Sequence, residues 1–496
     1  MSVPLGLAAL DVLVALVGAA FLALVGVADS LGVGVRLLGL SYLTGWALLG
    51  VTLSLGLTVG LPLTVPGVAL VAMALVVICA LGARRGLFDR LGRRPHVAPS
   101  RFDRWISWLG AALLCLGGAA LLTMSVKDSW NPASDFDAFV FWLPKAESIY
   151  VSHGLDASLW RQFVHMEYPP LFPAVDASTF AFVGGFHPSL LPFQQALLGL
   201  AFVVGVLGLL DRVAPRWLSV PVLALIATAP WFWDRLTSVM PDQTVAYMIA
   251  GAALASVLWL LEPQPAWLAL AAVFLAAGTL TKLEGWLSAL FLAGVVIVAS
   301  LVHYRRRGLA AAWLLLGPAT IVVWRIWLHA NGLPGSSPDY SLSNLFDPSY
   351  LDHRTARLRY SLNAMTRTGG DMLAGLTPAT RTQFSTHVEA AVLGAGLVVL
   401  LVFAARSSLT VAATVGCWFV LALVGLEAIY WIGRIPVKAY VGETVDRVEE
   451  TPALVMLTLL PLLLALALRL VPTAGANRAE SQTGAGSGSA GIEASS

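Results

Sequence analysis

Runs of about twenty apolar residues, broken by short polar stretches, recur from the first residues to Leu470. At 1.5 Å per residue a run of that length crosses the hydrocarbon core of a bilayer as an α-helix. The runs centre near Ala15, Trp46, Met73, Leu114, Gly199, Leu225, Ala252, Val273, Ala293, Pro318, Leu397, Leu421 and Leu462, which predicts about thirteen spans. The expected fold is therefore all-α, polytopic and integral to a membrane. No Lys or Arg precedes the first run and no small-residue cleavage site follows it, so it reads as a retained helix and not as a removed signal peptide. The tail 473–496, rich in Gly, Ser and Ala, reads as disordered and cytoplasmic.

Charge gives the spans a direction. Arg84, Arg85, Arg90, Arg93, Arg94, Arg101 and Arg104 crowd one connection, and Arg305 to Arg307 another. Short basic loops face the cytoplasm, and walking outward from either cluster gives the same sidedness. The segments Lys127 to His187, Arg235 to Asp242, Thr281 to Trp286, Asn331 to His387 and Trp431 to Thr451 then face outward, as do most carboxylates outside the basic loops. Three N-terminal spans with the basic loop (1–104), a module with an outer loop at 126–187 (105–330), and an outer loop with the last spans (331–472) follow as the organisation. The first of these outer loops follows the fourth span and, like the one from Asn331, is longer than adjacent helices need, which marks both as functional.

Composition agrees: 58 % of residues are hydrophobic and only 12 % charged. A net charge of +2 is too small to point to nucleic acid. Cys79, Cys115 and Cys417 each lie inside an apolar run with no zinc or disulfide spacing, and are expected to be buried small hydrophobes.

Five polar stretches stand out at the outer ends of spans. "DFDAFVFWLPKAESIY" carries Asp135, Asp137 and Lys145; either aspartate suits the cap of an interfacial helix, with Phe136, Phe139, Val140 and Leu143 on its apolar side and Pro144 expected to kink it. "HMEYPPLFP" sets His165, Glu167 and Tyr168 before a stiff proline pair. "SVMPDQTVAYM" puts Asp242 at a helix mouth, an ordinary place for an acid beside the helix dipole. "LTKLEGW" places Lys282 and Glu284 in an almost continuous apolar run, where ionisable groups are costly. "YVGETVDRVEETP" brings Arg447, whose planar fork suits a phosphate, just before the last span. Each alone has a bland account as a cap, a loop corner or an interfacial charge. Together they place carboxylates and cations on one membrane face, which fits a substrate with a charged headgroup and a lipid tail.

In this order the stretches resemble bacterial members of the GT-C superfamily, in the branch similar to protein O-mannosyltransferases (glycosyltransferase family 39). The likeness covers Trp105 to Leu470, and its pattern is an Asp-Ala some eight residues before Lys-Ala, an acid before Tyr-Pro, an Asp at a helix mouth, Thr-Lys-x-Glu-Gly, and an Arg before the last span. Phe136 and Met166 depart from it, standing where the family has Trp and Pro. The resemblance implies an inverting glycosyltransferase that takes a sugar from a polyprenyl-phosphate carrier on the outer face of the cell membrane. It assigns catalysis to Asp137 and Glu167, and substrate binding to Asp135, Lys145, His165, Tyr168, Asp242, Lys282, Glu284 and Arg447. The acceptor, whether glycan, lipid or protein, stays open, as does a divalent metal on Glu167 and His165. Two alternatives stand beside it: an O-antigen-type ligase or polymerase, which the late loop with Arg354, Arg357, Arg359, Arg367, Arg381 and His387 would serve, and a transporter or flippase of lipid-linked sugars. Charges at helix ends, and not at the midplane, favour the enzyme over the transporter.

Overall fold

The computed structural model describes residues 2–31, 34–89, 91, 100–132, 135–228, 238–337, 344, 354–374, 383–433 and 437–471. Among these the chain is helical throughout, with no strand. In chain order the main helices are α1 (Val3–Leu24), α2 (Val35–Thr58), α3 (Val65–Arg84), α4 (Arg101–Asp128), α5 (Leu143–Ser152), α6 (Ala157–Trp160), α7 (Leu171–Val183), α8 (Leu191–Leu210), α9 (Arg216–Thr228), α10 (Pro241–Leu261), α11 (Pro265–Thr281), α12 (Leu283–Tyr304), α13 (Leu316–Ala319), α14 (Ile321–Ala330), α15 (Arg354–Ala374), α16 (Gln383–Ala405), α17 (Leu409–Ile432) and α18 (Val437–Ala467). All thirteen expected centres fall inside helices. Nine helical stretches among the described residues are long and apolar enough to cross a membrane, so the chain is an integral membrane protein. The apolar parts of α7, α9, α11 and α16 are shorter.

The bundle is built around α10, nearly all of whose apolar window is buried, as expected for a helix that is hydrophobic all round. It packs on α8, α11, α12, α17 and α18. The N-terminal spans do not stand apart. Gly18 of α1 and Gly45 of α2 lie so close to the facing helix that a Cβ on either would overlap backbone, the small-residue approach favoured between membrane helices. The Tyr42 hydroxyl then lies 2.9 Å from Asp11 Oδ1 and 3.1 Å from Gln194 Oε1, joining α1 and α2 to α8.

The two ends of the bundle differ in chemistry. Arg36 pairs with Asp211, Arg212 with Glu262 at 2.9 Å, and Tyr304 bonds the carbonyl of Leu260. These contacts gather one end each of α2, α8, α10 and α12, together with Arg305 to Arg307. Asp137, Asp242, Glu284 and Arg447 lie at the other end. Alternation of basic and acidic connections along the sequence is thus matched by two separated ends of the fold.

Three expectations change. The segment 126–187 is not an open loop: it holds α5, α6 and the largely buried α7, which packs against α1, α2 and α5. Its apolar face is as continuous as that of a span but only thirteen residues long, so it fills the end of the bundle without crossing it. Of the cysteines only Cys79 is buried; Cys115 and Cys417 are exposed. A thiol on the outside of a membrane helix meets lipid, an apolar solvent, so burial in protein is not required. Third, the irregularity expected at Pro144 takes the form of a π-helical turn: Ala138–Trp142 runs straight into α5, whose first residue Leu143 donates its N–H to Ala138 O, and Pro144, which has no N–H to give, follows in the first turn of α5. The expected tail 473–496 and most of the segment 338–353 lie outside the described residues.

Candidate functional site

Four of the five polar stretches converge. Arg447 on α18 donates from Nη1 to Asp137 Oδ2 at 2.5 Å, across 310 positions of sequence. Asp137 opens the π-helical turn but makes no side-chain capping bond. Of the two aspartates offered as a cap, Asp137 is therefore not the one: its carboxylate is turned toward the guanidinium, and Asp135 stands directly before the helix. Asp135 contributes its backbone carbonyl to Phe139 N.

Lys282 is the break between α11 and α12. Its extended backbone (φ −157°, ψ 155°) ends one helix and starts the next, which leaves its ammonium at a helix junction. Nζ bonds Asp242 Oδ1 at 2.7 Å, and Glu284 Oε1 lies 3.5 Å away. Asp242 reaches it from the first turn of α10. Glu284 Oε2 is buried and takes no hydrogen bond among the described residues. Removing one partner from such a buried set strands the rest, which is far costlier than losing a surface pair.

A small, partly open cavity of ≈20 Å³ lies against this group. Asp242, Lys282, Glu284 and Arg447 form its polar wall, and Val245, Ala422, Leu426, Val448 and Pro452 its apolar wall. One side is charged and the other apolar.

The second stretch builds a different structure. Lys145 is completely buried. Its Nζ lies over the rings of Trp142 (5.3 Å), Trp160 (5.6 Å) and Tyr168 (5.6 Å) and donates to the carbonyl of His165 at 2.6 Å. The next two carbonyls are also held: Trp160 Nε1 donates to Met166 O at 2.9 Å, and Trp324 Nε1 to Glu167 O at 2.8 Å. Three successive carbonyls fixed by three buried side chains explain how His165 keeps a left-handed φ of 53°, a conformation that is otherwise costly. His165 Nδ1 then meets Glu167 Oε1 at 3.1 Å, and its ring stacks on Tyr168.

The electrostatics here are those of a closed site. Burial pushes the Lys145 ammonium down to about 7, against the pull of Glu167. Burial would raise the Glu167 carboxyl, but the hydrogen bond from His165, a backbone bond, and the positive charge of His165 and Lys145 outweigh it and hold the group low. Glu167 and His165 are joined to each other, and no group of three metal-binding side chains occurs among the described residues.

The expected site residues thus divide. Asp242, Lys282, Glu284 and Arg447 line one cavity, and Asp137 joins them through its bond to Arg447. Lys145, His165, Glu167 and Tyr168 do not line it; they brace the turn behind Asp137, since Phe141 packs against His165 at 5.1 Å and Trp142 stacks on Tyr168 at 5.6 Å. Lys145, with no exposed surface, is a positioning residue. The sequence reading missed Glu427, a buried acid on α17 beside the cavity residue Leu426; it accepts from Ser361 of α15, while Arg357 of α15 donates to the carbonyl of Tyr430. An acid inside the apolar run "LVGLEAIYW" was the available signal, the same one that marked Lys282. Comparison with family models, curated proteins and solved structures returned no match.

Proposed function

We propose that the protein is a membrane glycosyltransferase that moves a sugar from a polyprenyl-phosphate carrier to an acceptor hydroxyl, with inversion, on the outer face of the membrane. The observation that carries this reading is the position of Arg447: it lines the cavity with Lys282 and also holds the carboxylate of Asp137. A base, two phosphate-binding cations and an apolar wall are what this transfer requires. The GT-C-like order of the motifs supports the same conclusion.

In the proposed step Asp137 takes the proton of the acceptor hydroxyl while that oxygen bonds to the anomeric carbon. The bond from the anomeric carbon to the phosphate oxygen breaks, and polyprenyl phosphate leaves with the electron pair. Lys282 and Arg447 hold the developing charge; charge-assisted bonds of this kind are the strong ones. A phosphate beside Arg447 competes with Asp137 for the guanidinium, so arrival of the donor frees the base. Asp242 keeps Lys282 directed at the cavity, and Glu167 acts through His165 on the turn that carries Asp137.

The test is transfer from a panel of polyprenyl-phosphate sugars by the purified protein in lipid nanodiscs, read as released polyprenyl phosphate. Release by the unmodified protein and silence of Arg447→Gln are expected; equal release by both sinks the reading. Sidedness has its own check. In a variant with all three cysteines replaced by Ser, Glu147→Cys should react with an impermeant thiol reagent in intact cells and Arg306→Cys only after permeabilisation. The reverse pattern moves the chemistry to the cytoplasmic face.

A further inference from the structure

Helix α15, in the late outer segment, turns one face to α17. Arg357, Ser361 and Met365 stand four residues apart and are all buried, whereas Leu358, Tyr360 and Leu362 between them are exposed. Two of the three buried residues meet polar groups near the end of α17. Ser361 bonds Glu427. Arg357 donates from Nε and Nη2 to the carbonyl of Tyr430, at 3.2 and 3.0 Å. That carbonyl lies in the last turn of α17, where the helix itself has no donor left to offer. A guanidinium there also meets the negative end of the helix dipole. Asn344, earlier in the same segment, donates to the carbonyl of Ile432 at 3.4 Å. The late outer segment thus fixes the outer end of α17.

Tyr430 carries this hold one helix further. Its ring is buried with Met365, Leu426 and Val445, and its hydroxyl shares a 2.9 Å hydrogen bond with Thr444 Oγ1 on α18. Leaving so buried a hydroxyl unpaired would cost more than the bond itself contributes. Thr444 precedes Arg447 by three residues, so the two are neighbours on one face of α18. Val448 packs on the same cluster and lines the polar cavity with Leu426 and Arg447. Rotation of α18 about its axis would carry the guanidinium along the cavity wall and away from Asp137. Apolar packing of Val445 and Val448 is non-directional and resists this only weakly. A hydrogen bond has a direction, and the one at Thr444 acts one turn from Arg447.

We infer that Tyr430 is a positioning residue for Arg447: its bond to Thr444, held from the other side by Arg357 of the late outer segment, sets the guanidinium toward the carrier phosphate. This inference rests on the reading of Arg447 as a phosphate-binding cation.

The experiment is a set of double-mutant cycles on the full-length protein in nanodiscs, read as affinity for a fluorescent polyprenyl phosphate. Tyr430→Phe keeps the ring and removes one hydroxyl. It should weaken binding about two- to tenfold, the range of one hydrogen bond. Thr444→Val breaks the same bond from the other side and should match it, while Thr444→Ser keeps the hydroxyl and should bind like the unmodified protein. Beside Arg447→Gln, Tyr430→Phe should add no further loss; beside Lys282→Gln its loss should persist in full. Unchanged binding in Tyr430→Phe and Thr444→Val overturns the inference. So does a loss that persists beside Arg447→Gln, or one that vanishes beside Lys282→Gln as well, because the hydroxyl then does not act through Arg447. Failure of the underlying reading looks different: Arg447→Gln itself would bind the phosphate as tightly as the unmodified protein, and the positioning role would fall with it.

Discussion

Two lysines lie at the same end of the bundle, and they are put to opposite uses. Lys282 touches Asp242 and Glu284 and still faces a cavity. Lys145 is sealed beneath Trp142, Trp160 and Tyr168, with its proton donated to a backbone carbonyl. Lys282 is held by side chains on two other helix starts, so its charge is directed but not consumed. Lys145 is held by rings and backbone, and what it directs is the His165–Glu167 segment. Charge beside a cavity can act on a substrate; charge without surface can only shape the chain. The prolines Pro169 and Pro170, which looked like the means of fixing Glu167, are joined in this by the three carbonyl bonds.

The largest expected effect separates the acids of the two clusters. Asp137→Asn keeps the size of the side chain and a neutral contact to Arg447 but removes the base. Transfer should slow by roughly 10²–10⁴-fold, with donor binding retained. Asp135→Asn should leave the rate near that of the unmodified protein, since Asp135 makes its bond through the backbone carbonyl. Rates measured on purified, folded variants decide it. A dead Asp135→Asn beside an active Asp137→Asn reverses the assignment, and two active variants remove general-base catalysis from this turn.

A smaller effect compares the lysines directly. Lys282→Gln should weaken donor binding by about one to two powers of ten, the worth of a lost hydrogen bond to a charged group. Lys145→Gln should leave donor affinity unchanged per folded molecule, while lowering thermal stability. Titration of a fluorescent polyprenyl phosphate into both variants is the measurement. Weakened binding in Lys145→Gln at full folded fraction would mean that the caged lysine reaches substrate, and the distinction between the clusters would fall.

Much of this is legible in the amino-acid sequence alone. Apolar runs mark the spans, and alternation of basic and acidic connections marks two chemically different ends. Lys282 and Glu284 stand out because ionisable groups within an apolar run are costly, and Asp137, Asp242 and Arg447 stand out with them by their places at the ends of spans. Their convergence is not legible, because it joins residues as far apart as Asp137 and Arg447 and depends on how α10, α11, α12 and α18 pack. Burial of Lys145 is hidden for a different reason. Local sequence shows a lysine after Trp142 and Pro144, but two of its three ring partners lie on later segments. The short α7 is hidden by its length, being too short for a span yet too apolar for a loop. Glu427 escapes notice although its apolar surroundings carry the same signal as those of Lys282.

The last effect concerns pH, and its sign follows from burial of Lys145. The group titrates at about 7 in the folded protein against its ordinary 10.5. Between these values the unfolded chain binds a proton that the folded chain does not, so stability should rise as pH increases from about 7 toward 10.5 and level off beyond. Below about 7 both states carry the charge, and the full cost of holding an ammonium in the cage is present. Lys145→Met removes the titrating group and fills the same space with an apolar chain, at the loss of the bond to His165 O, on the order of 1–3 kcal/mol for a stranded buried carbonyl. Melting temperatures of the two proteins from pH 6.5 to about 10 should therefore converge at the acidic end and separate at the basic end, with the unmodified protein gaining and the variant flat over the contribution of this residue. Lys282→Met should not show this pattern, because its ammonium stays paired with Asp242 and Glu284. Parallel curves for Lys145→Met and the unmodified protein would show that the caged lysine keeps its proton throughout, and that the rings and Glu167 together offset the cost of its burial.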